Sequence, residues 1–322
     1  MKSISIVVPT YNEEKNIKDI YERITGLFNN ELKNYELQLL FIDNFSQDAT
    51  RMLIEELAER DKRVQAIFNA SNFGFTKSTF YGLTQAEGDC AVLIFADMQD
   101  PPEVIPQFVK EWENGYKIVV GIKNKSKESK IKYFLRACYY KFISAISENS
   151  HIKQFDGFGL YDRDFIRVLR KLDDPLPYLR GIIAEIGYRR KEVYYEQEAR
   201  KKGKSNFNFF RLYDLAMLGV TSSSKILMRF ATLIGGITAV VSLIVALVTF
   251  ILKFINWESF NVGMAAVVIG IFFIGAVQLF FLGLLGEYVL NMNTRIMRHP
   301  LVVEEKRINL KRNDDEKDEE GT

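Results

Sequence analysis

Two aspartates near the ends of apolar runs are the residues of this chain that could act together in chemistry. Asp43 directly follows the apolar run 37–42, and Asp97 comes shortly after the run 90–95. In open α/β sheets, ligands bind outside the carboxyl ends of the parallel strands, so we expect both carboxylates at one crevice. For either acid alone an ordinary turn role is at least as common, and their joint placement is what favours a site.

The two acids suit different parts of a nucleotide. An acid after the second strand of such a sheet commonly binds a ribose hydroxyl or a base edge, which is the role we expect for Asp43. Asp97 lies one crossover away, where a diphosphate would bind. Carboxylate oxygens suit Mg²⁺ or Mn²⁺, and substrate phosphates complete the coordination shell. The sequence therefore predicts a divalent metal at Asp97 that holds a diphosphate.

Two further acids in the same stretch predict a helix start. Asp100, Pro101 and Glu103 have the spacing of a capping box, with an acceptor at the N-cap, proline at the first helical position and glutamate at the third. We therefore expect Asp100 and Glu103 to be structural, at the beginning of a helix predicted over residues 102–113.

Alternating strands and helices must position these acids. Strands are predicted at residues 4–8, 37–42, 64–68, 90–95 and 117–121, and an edge strand at 191–195. Their apolar residues do not alternate with polar ones, as is typical of a sheet covered on both faces. The pattern predicts an α/β fold, with a Rossmann-like domain and a mostly parallel sheet.

The last third of the chain is apolar. Residues 230–252 are uncharged, and residues 262–286 repeat the pattern with Gln278 as the strongly polar interruption. Each stretch is long enough to cross ~30 Å of hydrocarbon at ~1.5 Å per residue. Basic residues flank both outer ends, which places those ends in the cytoplasm by the positive-inside rule. The alternative is a buried helical hairpin of a soluble protein.

Composition limits the classes of partner. The net charge of +2 gives no global argument for nucleic-acid binding, so we expect none. Basic residues crowd 123–132 and 200–204. The loop 123–132 is either a solvated surface or, given the apolar stretches later in the chain, a contact for anionic headgroups or a lipid phosphate. Cys90 and Cys138 lie in apolar or aromatic runs, without the spacing of a zinc site, and are predicted to be reduced core thiols. The N-terminal apolar run is too short for a signal peptide.

An ordered series of motifs resembles a known family. The motifs are residues 7–14 (VVPTYNEE), 43–50 (DNFSQDAT), 96–103 (ADMQDPPE), 180–181 (RG), 187–188 (GY), 200–205 (RKKGKS) and 286–289 (GEYV). Together they are similar to the family 2 inverting glycosyltransferases of the GT-A fold. Within that family they resemble the polyprenyl-phosphate glycosyltransferases, such as bactoprenol glucosyltransferase and dolichol-phosphate mannose synthase.

The resemblance implies a role for particular residues. It places Asp97 and Gln99 at metal-ligand positions and Asp156 at the reaction centre. The nucleotide sugar is implied to bind Pro9, Tyr11, Glu13, Asp43, Asp97, Arg200 and Lys204. The acceptor phosphate is implied to bind Lys123 and Arg136.

The chain departs from the family pattern at three positions. Phe95 stands where the family's metal motif usually has an acid, so the metal has one carboxylate fewer. Asn44 replaces the second acid of the motif after the second strand. Asn206 stands where a lysine is usual, and Lys204 is the candidate to replace it.

The resemblance implies a membrane-anchored enzyme that moves a sugar from a nucleotide sugar, UDP-linked by preference, to a polyprenyl phosphate such as undecaprenyl phosphate. The expected organisation is a cytosolic catalytic domain (1–204), juxtamembrane interfacial helices (205–229), two transmembrane helices (230–252 and 262–286) and a cytosolic C-terminal segment with a disordered acidic tail (287–322). We expect a homo-oligomer in the inner membrane, with both termini cytoplasmic. The alternatives are a polysaccharide synthase, a nucleotide-sugar-binding or scaffold protein with a degraded metal site, and a two-span transporter subunit.

Overall fold

An eight-stranded mixed sheet forms the centre of the computed structural model. The structure describes residues 1–123, 155–172, 174–197, 264–297 and 299–310, together with isolated helical residues between 233 and 255. The strands are β1 (Lys2–Thr10), β2 (Tyr35–Asp43), β3 (Val64–Asn69), β4 (Cys90–Leu93), β5 (Ile118–Lys123), β6 (Gly159–Asp162), β7 (Arg190–Tyr195) and β8 (Glu304–Ile308). The helices are α1 (Ile17–Asn30), α2 (Thr50–Arg60), α3 (Phe75–Thr84), α4 (Ile105–Glu113), α5 (Arg163–Lys171), α6 (Leu179–Ile186) and α7 (Met264–Ile296).

The strand order is β7-β5-β6-β4-β1-β2-β3-β8. Strands β4, β1, β2 and β3 run parallel, β5 runs parallel to β7, and β6 and β8 are antiparallel to their neighbours. The predicted α/β fold with a mostly parallel sheet is confirmed, and the predicted edge strand 191–195 is β7. Strands β6 and β8 were not predicted.

Both faces of the sheet are covered, as the non-alternating apolar runs predict. Ile6 and Val8 of β1 pack on one face with Ile20 of α1, and Val7 packs on the other face with Phe80 of α3. All five side chains are buried. The sheet is therefore rigid, and its strand ends can position side chains for a site.

Several predicted boundaries differ from those of the structure, and two of them bear on the site. Strand β4 ends at Leu93, two residues before the predicted end, so Asp97 lies on a connection beyond the strand. The predicted helix 102–113 begins as a 3₁₀ turn, Pro102–Val104, and becomes α-helical at Ile105. Met98, on the connection after β4, has φ of +59°.

Helix α7 is apolar, and most of the side chains that the structure describes on it are exposed. Among the described residues, the stretch Phe273–Thr294 is long and apolar enough to cross a membrane, and 6% of its 18-residue apolar window is buried. A core helix of a soluble protein is mostly buried, and this stretch is not. The first predicted span, 230–252, lies largely outside the described residues, so the predicted two-helix hairpin stays a prediction.

Candidate active site

The end of β2 forms the first part of the site. Asp43 is its last residue and pairs in register with Thr10 of β1. The carboxylate is fully buried and accepts hydrogen bonds from the Ser46 backbone N–H (3.0 Å), the Ser46 hydroxyl and the Thr10 hydroxyl (3.4 Å). Burial raises the pKa of Asp43, and the bonds from Ser46 offset part of this effect. In the structure, Asp43 holds the turn that follows its strand, in which Phe45 has φ of +68°.

A set of hydrogen bonds joins this turn to the loop after β1. The Asn12 N–H donates to the Ser46 hydroxyl (2.9 Å), and the Glu13 N–H donates to the Thr50 hydroxyl (2.8 Å). In return, the Gln47 N–H donates to Oδ1 of Asn12 (2.7 Å). The first two motifs of the sequence are thus one surface at the carboxyl ends of β1 and β2. Sequence reasoning missed these contacts because each joins loops more than thirty residues apart, 34 for Asn12 and Ser46.

Pro9, Tyr11 and Glu13 belong to the same surface. Pro9 and Tyr11 are partly exposed beside it, and the Glu13 carboxylate accepts from the Asn16 amide. Their predicted contact with a nucleoside, like that of Asp43, stays a prediction.

The predicted metal residues lie together on the connection after β4. Oδ1 of Asp97 accepts from the Gln99 backbone N–H at 3.3 Å, and the Gln99 side-chain oxygen accepts from the Gln197 amide at 3.4 Å. Within the described ranges, no cluster of three or more acids, histidines or cysteines could hold a metal ion. One carboxylate and one amide still fit Mg²⁺ or Mn²⁺, because such ions commonly take one or two carboxylates and complete the shell with water and substrate phosphates. The residues therefore fit a cation that binds together with a diphosphate.

A buried ionic cluster lies next to this segment. The Lys123 ammonium contacts the Asp156 carboxylate and lies 3.6 Å from Oδ1 of Asp100, which also accepts from the Tyr195 hydroxyl. Asp100 is 1% exposed. Burial raises the pKa of Asp100 to about 7, and the charge of Asp156 adds to this rise, whereas Lys123 opposes it. Burial alone would lower the pKa of Lys123. The negative charges of Asp156 and Asp100 outweigh the effect of burial, so the pKa of Lys123 is raised and the ammonium stays charged.

The capping-box prediction for Asp100 and Glu103 is wrong. The 3₁₀ turn has Pro101 at its N-cap, with no capping bond from a side chain. Pro101 is extended, with ψ of 124°, so Asp100 is separated from the helix start and its carboxylate is buried beside Tyr195. Glu103 instead binds Arg23 of α1, with Nε and Oε1 2.9 Å apart.

Phe95 occupies the position where the family pattern has an acid. The centres of the Phe95 and Phe75 rings are 5.3 Å apart. Gly157 is so close that a Cβ atom added to it would lie 3.5 Å from the Phe95 ring. Gly157 has φ of +123°, a conformation that glycine adopts without strain. Phe95 thus packs against the turn that carries Asp156.

The structure brings Asp97, Gln99, Lys123 and Asp156 to one region beside Asp100, since the charge of Asp97 acts on both Lys123 and Asp100. Asp43, Pro9, Tyr11 and Glu13 form the neighbouring surface at β1 and β2. Arg136, Arg200 and Lys204 lie outside the described residues. Tyr195 and Asp100 are the residues that the sequence did not single out for this site.

A family model for glycosyl transferase family 2 matches residues 5–170. The chain belongs to glycosyl transferase family 2. It is a glycosyltransferase, as the motif series predicted.

Several relatives match nearly the whole chain. A "Bactoprenol glucosyl transferase" of Shigella phage SfII is 32% identical over 298 residues, which is 92% of this chain and 96% of the relative. The "Prophage bactoprenol glucosyl transferase homolog" of Escherichia coli K12 is 32% identical over 287 residues, 89% of this chain and 93% of the relative. The "Putative glycosyltransferase CsbB" of Bacillus subtilis is 32% identical over 286 residues, with 89% and 86% covered.

Similarity to a solved structure is lower in sequence identity. Glucosyl-3-phosphoglycerate synthase from Mycobacterium tuberculosis, solved with Mn²⁺, UDP-glucose and phosphoglyceric acid, is 18% identical with a TM-score of 0.45, and 67% of this chain and 76% of that chain are covered.

Proposed function

We propose that this family 2 glycosyltransferase transfers a sugar from a nucleotide sugar, with a UDP-sugar as the favoured donor, to undecaprenyl phosphate. The observation that carries the proposal is the match to relatives named bactoprenol glucosyl transferase. It continues beyond residue 170, where the family model ends, and covers 92% of this chain in the Shigella phage SfII protein. The similarity therefore includes the C-terminal part and not the catalytic fold alone.

The proposed reaction is a direct displacement with inversion. An oxygen of the lipid phosphate attacks the anomeric carbon, the bond from that carbon to the diphosphate breaks, and the nucleoside diphosphate leaves with the electron pair. A divalent cation bound at Asp97 and Gln99 would supply positive charge for the leaving diphosphate. Arg200 and Lys204 are proposed to add to that charge.

Lys123 and Asp156 are assigned to the acceptor. Lys123 is held between Asp100 and Asp156, so its ammonium is fixed where an anionic acceptor could meet it. The lipid phosphate is already anionic near neutral pH, so a strong general base is unnecessary. We therefore assign Asp156 to orienting the acceptor or its lysine, with Arg136 as a second phosphate contact.

The lipid acceptor requires membrane attachment, which the exposed apolar surface of α7 supports. Val267, Ile271 and Leu279 on this helix are each more than half exposed, as is typical of a lipid-facing surface. We propose an inner-membrane protein with two spans, cytoplasmic termini and a homo-oligomeric assembly.

The test is transfer of label to lipid. Purified protein is incubated with undecaprenyl phosphate and a panel of radiolabelled sugar nucleotides, with Mg²⁺ or Mn²⁺ and with EDTA. We expect label in the lipid phase with one donor, its loss with EDTA, and a fall of at least about a hundredfold in Asp97→Asn, comparable to losing one strong electrostatic contact in other enzymes. No label in lipid with any donor would overturn the proposal. If Asp156→Asn kept full turnover while Asp97→Asn lost it, Asp156 would be removed from the site.

A second function is favoured by Phe95, which removes one expected metal ligand. It is a nucleotide-sugar-binding or scaffold protein with a degraded metal site. Calorimetric titration of the same sugar nucleotides with and without Mn²⁺ separates the two, since binding without turnover supports this second function. The polysaccharide synthase alternative would give a growing glycan in the same incubation instead of a single lipid-linked sugar.

A further inference from the structure

Strand β8 returns the chain, after the apolar helix α7, to the edge of the catalytic sheet. It pairs antiparallel with β3, with Ile67 opposite Arg307 and Phe68 opposite Lys306. The strand is anchored at its end by the Asn309 amide, which donates to the backbone oxygens of Ala58 and Val64 at 2.7 Å and 2.9 Å. Strand β8 is thus fixed against α2, although the two are far apart in sequence. Arg51 of α2 and Glu305 of β8 are 254 positions apart.

One residue of this strand is connected through Arg51 to the predicted nucleotide end of the site. A carboxylate oxygen of Glu305 lies 2.7 Å from a terminal nitrogen of Arg51, and Nε of the same arginine lies 3.8 Å from Oδ2 of Asp43. The guanidinium carbon also lies 5.0 Å from the centre of the Phe68 ring. Arg51 is therefore held between an outer carboxylate on β8, an aromatic ring on β3 and the buried carboxylate that ends β2.

The two contacts of Arg51 are unequal. At 2.7 Å, Glu305 is within hydrogen-bonding distance, whereas at 3.8 Å the guanidinium supplies charge to Asp43 without a short hydrogen bond. The carboxylate of Asp43 accordingly remains available to Ser46 and Thr10, which form the turn after β2.

We propose that Glu305 is a positioning residue for nucleotide binding, which acts through Arg51 on Asp43 and on the turn at residues 44–46. The proposal rests on the proposed function, because it assigns the turn to the nucleotide end of that site. Under this proposal, strand β8 contributes to the shape of the donor pocket. If Glu305 is lost, Arg51 either moves toward solvent or closes on Asp43. Both changes disturb the hydrogen bonds that shape the turn.

A stability effect alone would not distinguish Glu305 from its neighbours. Glu305 is about half exposed, and exposed ion pairs contribute only ~0–1 kcal/mol. Lys306 provides a matched control, because it forms a second pair between β8 and α2, 2.8 Å from Glu55, with similar exposure. The described contacts of Lys306 do not include Asp43 or its turn.

The experiment compares full-length Glu305→Gln with Lys306→Gln in detergent. Binding of UDP and GDP in the presence of Mg²⁺ is measured by calorimetry, and amide hydrogen exchange of residues 43–50 is measured without nucleotide. For Glu305→Gln we expect a Kd raised roughly threefold to tenfold and faster exchange at Ser46. For Lys306→Gln we expect both to stay at wild-type values.

The exchange measurement also separates this proposal from the proposed function. If neither nucleotide binds wild type, the nucleotide assignment fails, and exchange at Ser46 alone decides whether Glu305 positions the turn. Equal exchange in Glu305→Gln and Lys306→Gln overturns the positioning role. Faster exchange in Glu305→Gln with an unchanged Kd in a protein that binds UDP or GDP overturns its role in nucleotide binding.

Discussion

Tyr195 holds a buried carboxylate beside the segment that carries Asp97 and Gln99. Its hydroxyl donates to Asp100, and its ring packs edge-on against Phe158 at 5.3 Å. Removing the hydroxyl leaves an almost fully buried acceptor without that donor, which costs ~1–3 kcal/mol. Since Asp100 also faces Lys123, we expect Tyr195→Phe to lower both the melting temperature and kcat, the latter by roughly tenfold.

The neighbouring residue supplies the control for that prediction. Tyr194 is on the same strand, is 57% exposed, and its hydroxyl donates to Glu192 at 2.8 Å. Tyr194→Phe removes the same atom from a solvated surface, so kcat and the melting temperature should stay within error of wild type. If the two variants lost activity equally, Asp100 would not position Lys123.

The raised pKa of Asp43 leads to a predicted pH dependence of the free energy of unfolding. Burial raises its pKa above 3.8, so the folded protein holds this proton more tightly than the unfolded chain does. Over the pH interval between these two pKa values the folded state binds more protons, and this contribution to the free energy of unfolding falls as pH rises. Asp43→Asn removes that slope. We expect the melting temperature of the variant, relative to wild type, to increase as pH is raised from just above 3.8 toward neutrality.

Other carboxylates titrate in the same interval, and the comparison removes them because they are common to both proteins. The variant also loses an acceptor for Ser46, which shifts its melting temperature by a similar amount at each pH. A difference between the two proteins that is constant with pH, or that moves in favour of wild type, would contradict the assignment of the slope to Asp43.

At the residue scale, the sequence indicates which polar side chains follow a strand. It does not indicate the environment of a side chain whose partner is distant in sequence. Asp97 is recognisable because it comes just after an apolar run, whereas the role of Gln99 is implied only by the family resemblance. Asp100 has the local spacing of a cap, and its true environment depends on Tyr195, 95 positions away. Local spacing cannot indicate that Pro101 is extended and leaves the carboxylate buried.

At the scale of elements, burial explains which strands are predictable. Strands β1 and β2 contain five and seven consecutive buried residues, most of them apolar, because the sheet is covered on both faces. Strand β8 has the sequence EEKRI, with four charged residues of five, and none of its residues is fully buried. Its charges bind α2 and α3 across the sheet edge, through Arg51, Glu55 and Tyr81. Hydrophobic patterning carries no signal for such a strand, and charges at a sheet edge are common.

At the scale of the whole molecule, β7 and β8 together constrain how the chain can meet a membrane. Both strands belong to one sheet, and α7 lies between them in sequence. The chain between β7 and β8 therefore starts and ends on the same side of any membrane, so it crosses an even number of times or not at all. If α7 crosses, a second crossing must lie between residues 195 and 264, where the sequence predicts the span 230–252.

That constraint gives a topology prediction for the proposed two-span protein. Fusions are made to alkaline phosphatase, which is active outside the cytoplasm, and to a fluorescent protein that folds inside it. A fusion after residue 257, in the link between the predicted spans, should be active as phosphatase and dark. A fusion after residue 322 should be fluorescent and inactive as phosphatase. A fluorescent fusion after residue 257 would contradict the two-span prediction. Phosphatase activity after residue 322 would mean that α7 ends on the far side, where β8 could not pair with β3 of the same chain.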